Sequence, residues 1–174
     1  MSRRLAIVLA VVSVMLSCTH TPPQRPSQRN GQSALSEADS SLIQLMELNH
    51  RMADAADGEI VACVADHHDD YYRLDCGAWM RRVRTSDAPM PQADSFWHVH
   101  WRVRTLKDRL LVDEQKQVKI GRTDMVKAID EAITFMHEGD TTEVLAPWYT
   151  AYGAGGNGTV PPYTNVRIEI TIWR

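Results

Sequence analysis

No stretch of this chain is both apolar and long enough to cross a bilayer as a helix. The longest apolar run, Leu5 to Leu16, has 12 residues, against the roughly 20 that a span requires. Basic charge is also scarce. The formal net charge is −3 over 174 residues, which leaves no electrostatic footprint for nucleic acid. The 3 cysteines permit one intramolecular disulfide at most. No catalytic triad and no spaced metal-ligand motif is present, and the length leaves no room for two full domains once the N-terminus is set aside. What remains is 44% hydrophobic, enough for one core of about 100 residues with extensions.

The N-terminus reads as a processing segment. Arg3 and Arg4 precede the apolar run, Ser17 is small and Cys18 follows it. This is the layout of a secretory signal whose cleavage leaves cysteine first, and Leu16-Ser17-Cys18 resembles a bacterial lipobox. Residues 1–17 are therefore expected to be removed and Cys18 to be acylated, each chain contributing roughly 0.8 kcal/mol per buried methylene. An ordinary signal peptide with an incidental cysteine fits less well, because no other small-residue cleavage site is as well placed. Loss of the two arginines leaves 17 basic against 22 acidic residues, a charge of −5. The expected location is the cell envelope, lipid-anchored and periplasm-facing, with the outer membrane favoured. Cys63 and Cys76 then remain. A disulfide in an oxidising compartment and two buried free thiols fit the spacing equally.

Residues 18–35 are rich in Pro, Gln, Ser and Arg and are expected to be a disordered tether, since they bury too little to offset ordering entropy. Residues 36–76 form a helical extension. Leu42, Leu45, Met46, Asn49, Met52 and Ala53 recur at helical spacing behind Ser40 or Ser41 as N-cap; helical character runs to about residue 74, with a break at Gly58. Asp66-His67-His68-Asp69-Asp70 invites a metal reading, but spacing fixes no third ligand, and a solvated helix end is the simpler account.

The domain spans 77–174. Gly77 to Arg84 reads as a strand anchored by Trp79. Trp97, Val99, Trp101 and Val103 alternate with His98, His100, Arg102 and Arg104, which makes a half-buried strand with both histidines on the solvated face. Leu110, Leu111 and Val112 form a segment ended by Asp113-Glu114, and Val118 and Ile120 form a further short strand closed by Gly121. A helix is predicted over 123–135, capped by Thr123 or Asp124, with Met125, Ile129, Ala132, Ile133 and Met136 as its apolar stripe and Gly139 past its end. A strand over Val144 to Ala146 stops at Pro147. Last come Ala151-Tyr152-Gly153, a glycine-rich loop, Val160-Pro161-Pro162, and a strand alternating at Val166, Ile168, Ile170 and Ile172. Strands, one helix and a final long strand make an α+β fold, one antiparallel sheet wrapped around one short helix.

Residues 118–174 resemble the C-terminal half of the FKBP family of peptidyl-prolyl isomerases. Gly121, the helix, Met136-His137-Glu138-Gly139, Pro147, Ala151-Tyr152-Gly153 and Val160-Pro161-Pro162 fall in family order and near family spacing. Residues 77–117 match less closely. The whole layout is most similar to the gliding-motility-associated lipoprotein isomerases of Bacteroidetes. The resemblance implies a shallow apolar pocket between sheet and helix that takes proline-containing polypeptides and needs no cofactor. Tyr152 matches the pocket tyrosine, and Val126, after Met125, the backbone N–H that holds the substrate carbonyl. Ile129 takes the floor position, usually tryptophan. Val160 and Ile168 match the apolar wall, Trp101 a second aromatic and Leu111 a wall phenylalanine. The family's pocket aspartate falls on Val112, or on Asp113 with a one-residue shift; Tyr152 and Asp113 are the implied catalytic pair. The implied function is isomerisation of X–Pro bonds in envelope proteins, and the alternative is a non-catalytic chaperone or structural module of an envelope machine.

Overall fold

The computed structural model describes residues 28–67, 70–122 and 125–174, with side chains from residue 39 onward except at 67. Cys18, His68, Asp69, Thr123 and Asp124 lie outside the described residues. Two compact units are distinguished, Met1–Met46 and Glu47–Arg174. In the described part of the first, all helical, Leu42, Ile43, Leu45 and Met46 are exposed. The second contains the sheet, the short helix and the pocket.

Helix α1 is continuous from Gln28 to His67. It takes in residues 28–35, expected to be tether, and passes through Gly58, where a break was expected. A glycine in a helix interior costs about 1 kcal/mol relative to alanine. Here Ala56 and Ile60 on either side of it are buried to 4% and 0% exposure, and burying one such aliphatic side chain contributes about 1.5–3 kcal/mol. Packing outweighs propensity. The helix stops at His67, short of residue 74, because Tyr72–Arg73 is already strand β1.

The remaining elements are β2 (Trp79–Arg84), β3 (Phe96–Thr105), β4 (Leu110–Lys119), helix α2 (Lys127–Ile133), β5 (Thr141–Ala146), a single 3-10 turn at Trp148–Thr150 and β6 (Val166–Trp173). All strands pair antiparallel in the order β1-β2-β5-β6-β3-β4. This is the expected α+β architecture. The alternation seen in sequence sets the register. Val103, Trp101 and Val99 of β3 stand opposite Ile168, Ile170 and Ile172 of β6, and all six are buried. A slip of one residue would turn this whole row to solvent. Ala128, Ile129, Ala132 and Ile133 of α2 are buried against that face.

Two boundaries differ from the sequence reading. Leu110–Lys119 is one ten-residue strand, not two segments parted at Asp113-Glu114. It is an edge strand, where charged residues are tolerated because one side of the ladder is open. Helix α2 is shorter than 123–135; its N-cap is Val126 in extended conformation, with no side-chain cap. Its tie to the rest of the fold is lateral. The Glu131 carboxylate accepts the Asp75 and Cys76 backbone N–H groups at 2.6 and 2.9 Å. Just past the helix, buried Asp140 accepts the N–H groups of Ser86 at 2.6 Å and His137 at 2.8 Å.

The sheet's other face is covered too. Leu145 is fully buried there. Residues 52–59 of α1 bond to the 3-10 turn after β5 and to Asn165 just before β6. Tyr149 donates to Asp57 at 2.5 Å, Asn165 to Glu59 at 2.6 Å, and the Trp148 indole N–H to the Met52 carbonyl at 3.4 Å. Cys63 is half-buried and Cys76 buried, and no disulfide joins the two. None of the described helices is long and apolar enough to cross a membrane.

Candidate functional site

Three elements converge on one pocket of about 200 Å³. Strands β3 and β4 supply Trp101, Val112, Glu114 and Lys116. The approach to α2 and its first turn supply Met125, Val126 and Ile129. The loop between the 3-10 turn and β6 supplies Tyr152 and Asn157. The floor is Ile129, 1% exposed, held by α2 against the sheet.

The loop is a built structure. Gly153 donates its N–H to the Trp148 carbonyl at 2.7 Å and accepts from Tyr163 N–H at 3.2 Å. Asn157 closes the tip: its side-chain oxygen accepts the Val160 N–H at 2.7 Å, and its own N–H donates to the Val160 carbonyl at 3.1 Å. Gly156 is required at the closest approach. Its φ is +65°, and a Cβ there would sit 2.2 Å from the Val160 carbonyl oxygen. This backbone crossing holds the tip of the loop that brings Tyr152 and Asn157 to the pocket.

Tyr152 is half-buried. Burial pushes its hydroxyl pKa above the ordinary tyrosine value, the nearby Glu114 carboxylate pushes it further, and a hydrogen bond with the Trp101 side chain acts in the opposite sense. The indole N–H can only donate, so the Tyr152 oxygen accepts it and its own proton is left to point elsewhere. At neutral pH the pocket therefore presents a protonated phenol above an apolar floor.

Of the nine residues singled out from sequence, five line this pocket: Trp101, Met125, Val126, Ile129 and Tyr152. Val160 and Ile168 are fully buried core residues that do not reach its surface. Leu111 packs on the core's edge and is not in the lining. Asp113 is on the wrong face. It pairs in register with Arg102, on the side of the sheet away from Trp101, and its carboxylate meets His100 Nε2 at 2.6 Å. The alternation of β4 puts Val112 in the aspartate's place instead. His98 and His100 share that outer face, His98 stacked on Trp173 at 5.7 Å, and both are half-buried.

Three lining residues were not expected: Glu114, Lys116 and Asn157. The pocket is more polar at its rim than an all-hydrophobic site. The signal for the first two was the period of two running Val112, Glu114, Lys116, Val118, hidden by reading the strand as broken. Among the described residues no cluster of three or more His, Cys, Asp or Glu side chains is arranged to hold a metal ion; the 66–70 run falls partly outside them.

Residues 88–173 match the profile of the FKBP-type peptidyl-prolyl cis-trans isomerase family. The chain is 28% identical over 109 residues to a macrophage infectivity potentiator from Trypanosoma cruzi, covering 59% of this chain and 55% of that protein. It thus spans about half the length of this curated relative. Among solved structures it is similar to a peptidyl-prolyl cis-trans isomerase from Pseudomonas syringae pv. tomato (TM-score 0.57, 20% identity, 70% of this chain and 94% of that one). It is also similar to FkpA from Escherichia coli (TM-score 0.59, 13% identity, 98% of this chain and 81% of that one). At these identities the structural likeness speaks for the fold, and the sequence profile carries the assignment: residues 88–173 belong to the FKBP-type peptidyl-prolyl cis-trans isomerase family.

Proposed function

We propose that this chain is a peptidyl-prolyl cis-trans isomerase that acts on X–Pro bonds of envelope proteins, held at a membrane through a lipid on Cys18. The observation that carries the reading is the phenol of Tyr152 set beside the apolar floor of Trp101, Val112 and Ile129. The reaction makes no covalent bond. Rotation about the X–Pro amide faces a barrier of roughly 18–20 kcal/mol because twisting breaks amide resonance. The planar amide is the more polar state, so an apolar, water-poor pocket favours the twisted one. Ile129 and Trp101 would hold the proline ring. The Val126 N–H and the Tyr152 hydroxyl would hold carbonyl oxygens in the twisted geometry, which is binding realised in the transition state. No proton needs to move, and none of the lining residues has to titrate.

The test is a proline-limited refolding assay with the purified chain, alongside Tyr152→Phe and Ile129→Ala. Acceleration by the native chain that falls in both variants is expected. Unchanged activity in both would sink the pocket assignment, and no acceleration by the native chain would leave the non-catalytic chaperone reading. For the anchor, Cys18→Ala is expected to move the protein to the soluble fraction; membrane retention would refute lipidation.

A further inference from the structure

Asn157 reaches the pocket with one half of its carboxamide already committed. The side-chain oxygen accepts the Thr159 N–H at 3.2 Å and the Val160 N–H at 2.7 Å. Both partners are donors, so the group cannot sit the other way round: a flipped carboxamide would set its NH2 against two N–H groups. With the oxygen turned into the loop, the NH2 lies on the other side of the planar group. Among the described residues no hydrogen bond occupies its two donors.

The group is also held in place. The Asn157 backbone N–H donates to the Val160 carbonyl at 3.1 Å, and Val160 is fully buried. The carboxamide cannot swing without breaking bonds to a core residue, so little freedom is left to lose when a ligand accepts from it. Asn157 lines the pocket together with Trp101, Ile129 and Tyr152, and it is exposed where Tyr152 is half-buried. It therefore belongs to the mouth of the pocket, and the phenol to its interior.

A fixed, neutral donor at the mouth calls for a neutral acceptor. The acceptor that every polypeptide carries, whatever its side chains, is the backbone carbonyl. In an extended segment around proline those carbonyls have no partner within the segment itself.

We propose that the Asn157 NH2 binds a backbone carbonyl of the bound polypeptide outside the X–Pro bond, so that the pocket grips main chain beside the proline irrespective of sequence. This rests on the reading of the pocket as an X–Pro site. Because the contact lies outside the bond that twists, it is the same in the planar and the twisted state. It lowers KM and leaves kcat alone. One neutral hydrogen bond of this kind is worth about a two- to tenfold gain in affinity.

The experiment compares the native chain with Asn157→Asp, which keeps an oxygen for the Thr159 and Val160 N–H groups and removes both donors. The probe is an end-blocked, fluorescently labelled Leu-Pro-Leu peptide, which offers the new carboxylate no charged partner. Affinity is read by polarisation and turnover by cis–trans exchange. The expected result is a urea midpoint no lower than the native one, affinity weaker by about two- to tenfold, and an unchanged rate at saturating peptide. The same peptide is then made with a single thioamide, a poorer hydrogen-bond acceptor, at each carbonyl except that of the X–Pro bond. At one position the sulfur is expected to weaken binding to the native chain and not to Asn157→Asp; a loop merely loosened by the substitution would weaken every peptide alike. Native affinity in Asn157→Asp, or no thioamide position whose cost depends on residue 157, overturns the proposal. Absence of turnover by the native chain, with the affinity loss and the thioamide dependence intact, would sink the isomerase reading and leave this contact standing.

Discussion

Of the four glycines in the loop that carries Tyr152 and Asn157, three differ from one another in the cost the structure assigns to substitution by alanine. At Gly155 a Cβ meets nothing within 4 Å and the backbone is not left-handed, so Gly155→Ala is expected within about 0.5 kcal/mol of the native chain. At Gly158 there is also open space, but φ is +84°. Gly158→Ala should therefore show conformational strain alone, about 1–2 kcal/mol. At Gly156 φ is +65° and the Cβ would lie 2.2 Å from the Val160 oxygen, 2.9 Å from the Pro161 carbonyl carbon and 3.0 Å from the Pro162 nitrogen. All three are backbone atoms. They cannot step aside cheaply, because Val160 is fully buried and pinned through both bonds with Asn157. Adding overpacking of about 1–3 kcal/mol to the same strain gives about 2–5 kcal/mol for Gly156→Ala.

Urea unfolding reads the series. With a slope of about 2 kcal/mol per molar, typical of this size, the midpoints should fall by about zero, 0.5–1 M and 1–2.5 M in the order Gly155, Gly158, Gly156. If the tip melts locally instead, part of the loss is transferred to the pocket, and binding of a Leu-Pro-Leu peptide weakens because Asn157 and Tyr152 are no longer held. The reasoning is refuted if Gly156→Ala matches Gly158→Ala in both midpoint and peptide affinity. The close approach of Gly156 to Val160–Pro162 would then not be what sets the rim.

Beside its buried face, the floor helix is tied to the segment before β2 by one carboxylate. Glu131→Ala removes the acceptor for the Asp75 and Cys76 N–H groups and is expected to cost about 1.5–3 kcal/mol, with Glu131→Gln recovering part of it; thermal denaturation that leaves both variants at the native midpoint would count against this tie. Burial pushes the Cys76 thiol up to about 11 from 9.0. Because the folded value is the raised one, its contribution is complete below pH 9 and is lost as pH rises toward about 11. Stability in Cys76→Ala should therefore fall less steeply across that window, and parallel curves for the two proteins would refute the assignment.

The site became legible from sequence where local chemistry and tertiary role coincide. β6 alternates because one face is core, so Val166 to Ile172 announce both the strand and its register. Tyr152 and the glycines announce the loop because only glycine tolerates the backbone at Gly156. Legibility fails where position in the sheet overrides the local pattern. The run Asp113-Glu114-Gln115-Lys116-Gln117 looks like a break, since a central strand would not carry five polar residues. β4 is the outermost strand of the sheet, beside β3 alone, and there such a run is what keeps an open edge from pairing with another chain. The misreading had a direct chemical consequence. Parting the strand at Asp113 removed the period of two, and without the period nothing weighed against the one-residue shift by which the resemblance moves the pocket aspartate from Val112 to Asp113. Restoring it turns Asp113 outward to His100 and brings Glu114 inward beside Tyr152. Gly58 fails in the opposite sense: its intrinsic preference to break α1 is correct locally but is outweighed by the burial of Ala56 and Ile60, which no window of sequence around it displays. In both places what was missing was knowledge of the neighbour, the absent strand beyond β4 and the sheet face beneath α1, and that information belongs to topology alone.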